Sequence, residues 1–426
     1  MSTPPVSDRP LSAAEARHRF LILRGLRWLS TGLIVPVFIL IMLDRGLSLA
    51  DIGLAVAAQG VATLVLELPT GGLADAIGRR RVLLIASIFS VGSFLLLLVA
   101  ESLLLFAVVW AIQGVYRALE SGPLDAWYVD TAQAADPEAD IEATLARGAV
   151  VLSSAIASGS LLSSGLVAWQ PLPGVDPLVT PVLAALVVMI IEVLALIRLM
   201  REPEIEASAT LRQTVRAVPT VVREAVGIVR GSRVLTILVT IEVLWGLGMV
   251  AFELFTPAKL ELILQDADLA AQIVGPMQTG AWIASAVGAA LVPRLVRVVG
   301  GAQRAATVLL AAQALFVVAI GLATGPIGVV IAFLVTMMTH GAANPVHQGL
   351  LHRAVTHPGR RATVVSANSL AARLGGLIGS IGLGALGDAT SLNTAILAGA
   401  GALALAAPLY LRARVPTSPA EGTLPA

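Results

Sequence analysis

Apolar stretches of about 20 residues recur along the whole chain and are separated by short polar loops. A helix needs about 20 mostly apolar residues to span a bilayer. In lipid only helices and closed barrels satisfy every backbone hydrogen bond, and these stretches lack the alternation of barrel strands. We therefore predict twelve transmembrane helices, near residues 20–43, 52–74, 82–100, 102–127, 147–168, 178–199, 233–257, 271–293, 304–323, 326–350, 362–386 and 392–411.

The composition supports a membrane protein and excludes several other classes. The chain is 57% hydrophobic and 13% charged, whereas soluble domains carry about 25% charged residues. The net charge of +1 offers no footprint for nucleic acid, and the absence of cysteine excludes disulfides and thiol chemistry. Lys259 is the only lysine among the 28 basic residues, the others are arginine, and alanine is abundant. This composition is typical of GC-rich bacterial genomes. We expect a multi-pass protein of a bacterial inner membrane.

The basic residues predict the orientation of the chain. All but six of the 28 lie in the termini, in the loops that follow even-numbered spans, or at the span ends that adjoin those segments. Because basic loops stay in the cytoplasm, both termini are predicted to be cytoplasmic. The exceptions are Arg45 and Lys259 in the opposite loops, and Arg24, Arg27, Arg117 and Arg373 within spans.

The polar segments divide the chain into two halves of six spans each. We predict a disordered cytosolic tail at 1–18, a six-helix bundle at 19–199, an amphipathic linker at 200–232, a second bundle at 233–412 and a tail at 413–426. The halves are weakly alike. Gly122-Pro123 in the fourth span corresponds to Asn344-Pro345 in the tenth, and Arg147 opens the fifth span as Arg361 opens the eleventh. Paired repeats of this kind are typical of transporters with a binding site near the bilayer midplane.

A glycine-rich motif lies between the second and third spans and reads Gly71-Gly-Leu-Ala-Asp75-Ala-Ile-Gly78-Arg79-Arg80-Arg81. Glycine permits a tight turn and close helix approach. An aspartate there can accept hydrogen bonds from a helix N-terminus or pair with arginine. If the three arginines only fixed topology, neither the glycines nor Asp75 would be explained.

This motif resembles the signature loop of the major facilitator superfamily, although Ala76 stands where many members carry arginine. The resemblance implies an all-α fold of two six-helix bundles and a transporter rather than an enzyme. It also implies a cytoplasmic latch, in which Asp75 faces the start of the eleventh span and Arg79 pairs with Asp130. The residues predicted for the latch are Gly71, Asp75, Gly78, Arg79, Arg80 and Asp130.

The fourth span places Arg117 and Glu120 on one helix face, ahead of Asp125. This resembles the arginine motif of drug/proton antiporters, with Glu120 in the place of a glutamine. Charged side chains in mid-membrane are costly and normally face a cavity or a partner. We predict proton coupling through Glu67, Glu120 and Asp125, tuned by Arg117. The alternative is a static pair of Arg117 with Glu67 or Glu120 that only locks helices together.

The fifth span resembles that of drug/proton antiporters less clearly. It lacks the Gly-Pro ending common in drug/proton antiporters, and Ser153, Ala157, Ser160 and Ser164 share one of its faces. Small residues on a span more often permit close helix packing than line a binding site.

Polar residues in the other spans fall on helical stripes, as in the seventh and tenth spans. Because such stripes cannot all face lipid, we predict an aqueous substrate cavity between the halves. Its predicted lining is Arg24, Arg27, Glu242, Trp245, Glu253, Trp282, His340, Asn344 and Arg373. His340 and His347 are too far apart on one helix to pair on a metal, and no phosphate-binding loop is present, so no metal or cofactor is expected.

Together these features predict a monomeric, proton-coupled exporter of small amphiphilic compounds, with the substrate, protons and membrane lipid as its partners. Acids outnumber arginines within the spans, which suits cationic or zwitterionic substrates. A proton-coupled importer or a narrow-specificity metabolite exporter stays open, because a fold fixes neither substrate nor direction. A non-transporting receptor or scaffold is the third possibility, and the midplane charges argue against it.

Overall fold

The structure, a computed structural model, describes residues 11–202, 223–355 and 357–413. Two single-turn 3-10 helices lie at Pro177–Val179 and Pro358–Arg360. The α-helices are α1 (Ala13–Ile34), α2 (Phe38–Asp44), α3 (Leu49–Ile77), α4 (Arg79–Val99), α5 (Leu103–Glu120), α6 (Pro123–Ala135), α7 (Ile141–Trp169), α8 (Thr180–Leu199), α9 (Arg233–Glu253), α10 (Phe255–Leu264), α11 (Ala267–Val299), α12 (Ala302–Leu322), α13 (Pro326–Ala354), α14 (Arg361–Ala389), α15 (Leu392–Ala406) and α16 (Leu409–Arg412).

Twelve stretches of these helices are long and apolar enough to cross a membrane, which confirms the predicted number of spans. Several extend well beyond the apolar run that predicted them. The 33 residues of α11 are about 50 Å long, while the hydrocarbon core of a bilayer is about 30 Å thick. The ends of such helices therefore project into the headgroup layers or the loops.

Four spans are interrupted, namely the first, fourth, seventh and twelfth. The break in the fourth lies between α5 and α6, where Gly122 has φ +98° and Pro123 opens the next helix. A positive φ cannot continue a right-handed helix, and glycine adopts it at little cost. Pro345, by contrast, lies inside the continuous helix α13. The sequence correspondence between these two dipeptides therefore does not extend to the backbone.

The described residues form two compact units, one of residues 11–47, 54–202 and 264–279, the other of 48–53, 223–263, 280–355 and 357–413. In the first, α1 packs against α7 and α8, and α4 packs against α5 and α8. In the second, α9 packs against α14 and α15, and α12 packs against α13 and α15. These pairs correspond span for span, so each unit has the same helix arrangement.

Some predictions fall on residues outside the described ranges. These are most of the 1–18 tail, most of the 413–426 tail, and residues 203–222 of the predicted amphipathic linker.

Small residues set the closest helix contacts. On α7, a Cβ added to Gly159 would lie 2.6 Å from the Leu29 carbonyl oxygen, and Ser160 donates to the Gly32 carbonyl at 3.2 Å. Ser164 donates to the Ala271 carbonyl and accepts from the Gly275 amide at 3.0 Å. Ser160 and Ser164 of the fifth span thus serve helix packing.

A carboxylate caps the start of α3. Asp388, near the end of α14, accepts hydrogen bonds from the amides of Leu49 and Ala50 at 2.9 and 3.0 Å. A negative charge at a helix N-terminus is stabilised by the helix dipole and by the unpaired amides. Gly53, one turn further, lies against the Ser380 carbonyl, so the start of α3 is held firmly in the second unit.

Candidate functional site

The first unit contains a fully buried ion pair. Arg27 on α1 donates to Glu192 on α8 from Nε at 3.0 Å and from Nη2 at 2.6 Å. Ser87 Oγ on α4 lies 3.1 Å from the other carboxylate oxygen, in position to donate. Arg27 is only 2% exposed. It was predicted to line a substrate cavity, but in the structure it is internal, because its charge is neutralised by a carboxylate from a neighbouring helix.

A second ion pair lies one turn away on α1. Arg24 pairs with Asp125 on α6, and the Asp125 side chain is 45% exposed. The Arg24 guanidinium lies 5.4 Å from the ring centre of Phe20, which stacks on Tyr128 at 4.8 Å. Arg24 and Asp125, predicted for the cavity and for proton coupling respectively, are thus direct partners.

Arg117 on α5 contacts an aromatic ring of α1, and the static pair with Glu67 or Glu120 that the sequence left open stays untested. The Arg117 guanidinium lies 5.6 Å from the ring centre of Trp28, a cation–π contact. Among the described residues, the ion pairs of the first unit do not include one between Arg117 and Glu120. Glu67 and Glu120 are both partly buried. Their role in coupling stays a prediction.

The glycine-rich motif ends in a capped helix. Gly78 has φ +95° and precedes α4, and Arg79 forms an ion pair with Asp130 at the end of α6. Glu202, just after α8, accepts from the amides of Arg79 and Arg80 at 2.9 Å each.

Sequence reasoning missed Glu202, although an acid directly after a span is well suited to cap a helix N-terminus. Gly71 and Asp75 belong to helix α3, and the Asp75 side chain lies outside the described part of the structure. The Arg79–Asp130 contact agrees with the predicted pairing, while the latch itself stays a prediction.

The second unit encloses a small polar cavity of about 20 Å³, room for roughly one or two water molecules. The indole of Trp245 stacks on the imidazole of His340, with ring centres 5.3 Å apart and planes 21° apart, and Phe252 meets His340 edge-on. The lining residues are Glu242, Trp245, Leu310, His340, Ala343, Asn344, His347, Gln348 and Tyr410. Four of them, Glu242, Trp245, His340 and Asn344, were predicted to line the substrate cavity.

His347 is the centre of a hydrogen-bond network at this cavity. Its Nε2 atom lies 3.2 Å from Glu242 Oε2 and 3.2 Å from Asn368 Oδ1, and its Nδ1 atom lies 2.8 Å from the Tyr410 hydroxyl. The network joins α9, α13, α14 and α16. Buried polar groups are normally satisfied by hydrogen bonds, and these satisfy one another.

The sequence pattern predicted only some of the residues at this site. His340, Asn344 and His347 share a helical stripe, but Asn368, Tyr410 and Gln348 carried no signal, since their partners lie on other helices or outside the stripe. Glu253, Trp282 and Arg373 are not among the lining residues of this cavity. Within the described residues, no group of three histidine or acidic side chains is placed to hold a metal ion.

A family model and several solved structures match this chain, and they agree on its fold. Residues 20–350 match a family model described as Major Facilitator Superfamily. The fold is similar to the crystal structure of the nucleoside transporter NupG, with a TM-score of 0.77, 14% identity, and coverage of 93% of this chain and 98% of that one. No curated protein sequence matches the chain.

Two further crystal structures are similar over almost their full length. A bacterial homologue of the iron transporter ferroportin has a TM-score of 0.72 and 16% identity, covering 94% of this chain and 98% of that one. A bacterial homologue of the human lysosomal transporter Spinster has a TM-score of 0.73 and 15% identity, covering 96% and 99%. At these identities the likeness concerns the fold alone.

Proposed function

The chain belongs to the Major Facilitator Superfamily and is a membrane transporter rather than an enzyme, and from that premise we propose that it exports small amphiphilic compounds in exchange for protons. The proposal has three parts, which are the use of protons, the class of substrate and the direction of transport. Each rests on a different observation.

The observation that carries proton coupling is the set of ionisable side chains that face one another inside the spans. Glu242, His347 and Tyr410 meet at a polar cavity in the second unit. Charged and titratable groups inside a membrane are costly to keep, and they mark proton and substrate pathways. A carboxylate that is costly when charged in a closed cavity and well solvated in an open one can bind a proton on one side and release it on the other.

The substrate class follows from the chemistry of the same cavity. Trp245 and His340 present stacked rings beside the Glu242 carboxylate and the Asn344 amide. Aromatic faces attract cations and planar apolar groups, and a carboxylate adds charge complementarity. This combination favours a small amphiphilic cation or zwitterion.

The outward direction is supported by the resemblance of the fourth span to drug/proton antiporters, which rests on Arg117 and Glu120. Glu67, Glu120 and Asp125, predicted from the sequence, are the alternative coupling acids in the first unit. An importer or a narrow-specificity metabolite exporter would have the same fold, so direction and range are the parts that an experiment must decide.

Proteoliposomes with an imposed pH gradient provide the test. We expect amphiphilic cations such as ethidium or tetraphenylphosphonium to accumulate on the acidic side, with matching movement of protons in the opposite direction. Neutral sugars and nucleosides serve as comparison solutes. Co-movement of solute and protons in the same direction would show an importer, and transport that ignores the pH gradient would contradict proton coupling.

A further inference from the structure

We propose that Glu242 and His347 form the proton-binding site of this transporter, and that it is the site through which a pH gradient drives transport. The second half of this statement rests on the proposed function. The first half concerns proton binding alone and can be tested without any substrate.

The geometry places two proton-binding groups in direct contact. His347 Nε2 and Glu242 Oε2 are 3.2 Å apart. His347 is 4% exposed, and the Glu242 side chain is 15% exposed. At this distance one proton can be held between the carboxylate and the imidazole, and removing it leaves a net negative charge in a poorly solvated place.

The remaining contacts of His347 fit both protonation states. When the imidazole is neutral, Nε2–H donates to Glu242 and Asn368 while Nδ1 accepts from the Tyr410 hydroxyl. When the pair binds a further proton, Nδ1–H donates to the Tyr410 oxygen instead, and the proton on Nε2 can pass to the Glu242 carboxyl. The hydroxyl only rotates, so the site gains or loses a proton without rearranging heavy atoms.

The partners of Glu242 differ from those of the other paired acids. Asp125, Glu192 and Asp130 each pair with an arginine, a residue that stays charged at any physiological pH. Glu242 pairs with a histidine, whose charge changes between about pH 5 and pH 8 in ordinary surroundings. Both members of this pair can change charge.

Other charged or titratable groups lie on the elements packed against the site. His340 lies two turns before His347 on α13, Arg373 lies further along α14 than Asn368, and Arg412 follows Tyr410 on α16. On α12, Leu310 lines the cavity and Arg304 is the one ionisable residue, and α15 carries no ionisable residue.

A small cavity borders the pair as well. The cavity that Glu242, His347 and Tyr410 line has room for about one or two water molecules. Asn344 and Gln348 line the same cavity and can hydrogen-bond such water. The pair is therefore in contact with a polar space and is not sealed among apolar side chains.

Infrared difference spectra of the protein in proteoliposomes, recorded between acidic and alkaline buffer, test proton binding directly. The C=O stretching band of a protonated buried carboxyl should be present in the wild type and absent in Glu242→Gln. It should shift in His347→Gln, because the carboxyl loses its imidazole partner. Glu253→Gln, on the same helix α9, is the matched control and should keep the band. A Glu242→Gln spectrum identical to the wild type would overturn the proposal.

The transport arm uses whichever of ethidium and tetraphenylphosphonium the wild type accumulates. Glu242→Gln and His347→Gln should lose pH-driven accumulation by about tenfold or more. Glu138→Gln, which changes an exposed loop acid, should keep it. Glu242→Asp retains a protonatable group and should keep part of the coupling, which separates loss of the proton site from loss of folding.

The proton site and the proposed function can fail separately. If the wild type shows no pH-driven transport of either cation, the proposed function is contradicted, while the infrared band still decides whether Glu242 binds a proton. If the wild type is pH-driven and Glu242→Gln remains so, this inference is overturned and the proposed function stands.

Discussion

The buried ion pair of Arg27 with Glu192 contributes to the stability of the first unit. Glu192→Gln should destabilise the protein strongly, because it leaves the Arg27 guanidinium charged and buried without a counter-ion. Breaking a buried pair by removing one partner costs about 3–5 kcal/mol. Thermal unfolding of the purified protein in detergent, followed by the loss of its monodisperse fraction, measures the effect.

The matched control is Asp125→Asn, which breaks the pair with Arg24 one turn away on α1. The Asp125 side chain is partly exposed, so solvent screens that pair and its loss should have a smaller effect. If both variants melt at the wild-type temperature, the buried pair contributes little to stability, and Arg27 does not depend on Glu192 for its internal position.

The contacts of Arg45 explain why this basic residue lies in a loop on the side of the membrane where basic residues are rare. Arg45 donates from Nη1 to the carbonyls of Leu97 and Ala100 at 2.7 and 2.6 Å. These carbonyls belong to the end of α4, where helix carbonyls lack partners and cations are favoured. The exception to the charge pattern therefore has a structural cause.

At the level of helices, the close contacts of α9 and α14 depend on glycine. A Cβ on Gly375 would lie 2.0 Å from the Val243 carbonyl oxygen, whereas a Cβ on Gly382 of the same helix would meet nothing within 4 Å. Gly375→Ala should force the helices apart and destabilise the protein by about 1–3 kcal/mol. Gly382→Ala should be neutral or stabilising by up to about 1 kcal/mol, because alanine favours the helix.

Thermal unfolding of the two alanine variants beside the wild type gives the comparison. The expected order of melting temperatures is Gly375→Ala below wild type, with Gly382→Ala at or above it. An equal loss in both variants would mean that helix packing between α9 and α14 is less tight than the structure indicates.

Helix ends are a second feature at this level. Asp388 caps the start of α3, and Glu202 caps the start of α4. Asp388→Ala should destabilise the protein by about 0.5–2 kcal/mol, as expected for loss of an N-cap. Asp388→Asn keeps an oxygen acceptor and should recover part of that loss in the same unfolding experiment. Equal effects of the two substitutions would contradict the capping role.

For the whole molecule, the basic residues predict that both termini face the cytoplasm. Because the chain has no cysteine, single cysteines can be introduced without a background. Cysteine at Ser48 or at Asp266 should react with a membrane-impermeant thiol reagent in intact cells. Cysteine at Ser208 in the linker should react only after the cells are opened, and the reverse pattern would overturn the topology.

The predicted cytoplasmic latch is also a property of the whole molecule. Asp75→Asn should increase labelling of cysteines placed on the cytoplasmic side and reduce transport, because a charge-assisted contact worth about 1–3 kcal/mol is lost. That loss is enough to change the populations of two conformations several-fold. Normal expression with unchanged labelling would count against the latch.

The sequence by itself determined the number of spans and the family. Spans of apolar residues follow from the free energy of placing side chains in lipid, which is a local property that a window of about 20 residues carries. The glycine-rich motif at Gly71–Arg81 depends on residues adjacent in the chain, and it predicted the superfamily before any contact was known.

Apart from Arg79 with Asp130, only the tertiary structure decided which charges meet. Arg27 with Glu192, and His347 with Glu242, Asn368 and Tyr410, are joined across helices that lie far apart in sequence. A helical stripe shows that a side chain faces away from lipid, but the partner it meets depends on the rotation and packing of another helix. For that reason Arg27 was assigned to a cavity, and Tyr410 and Asn368 were not assigned at all.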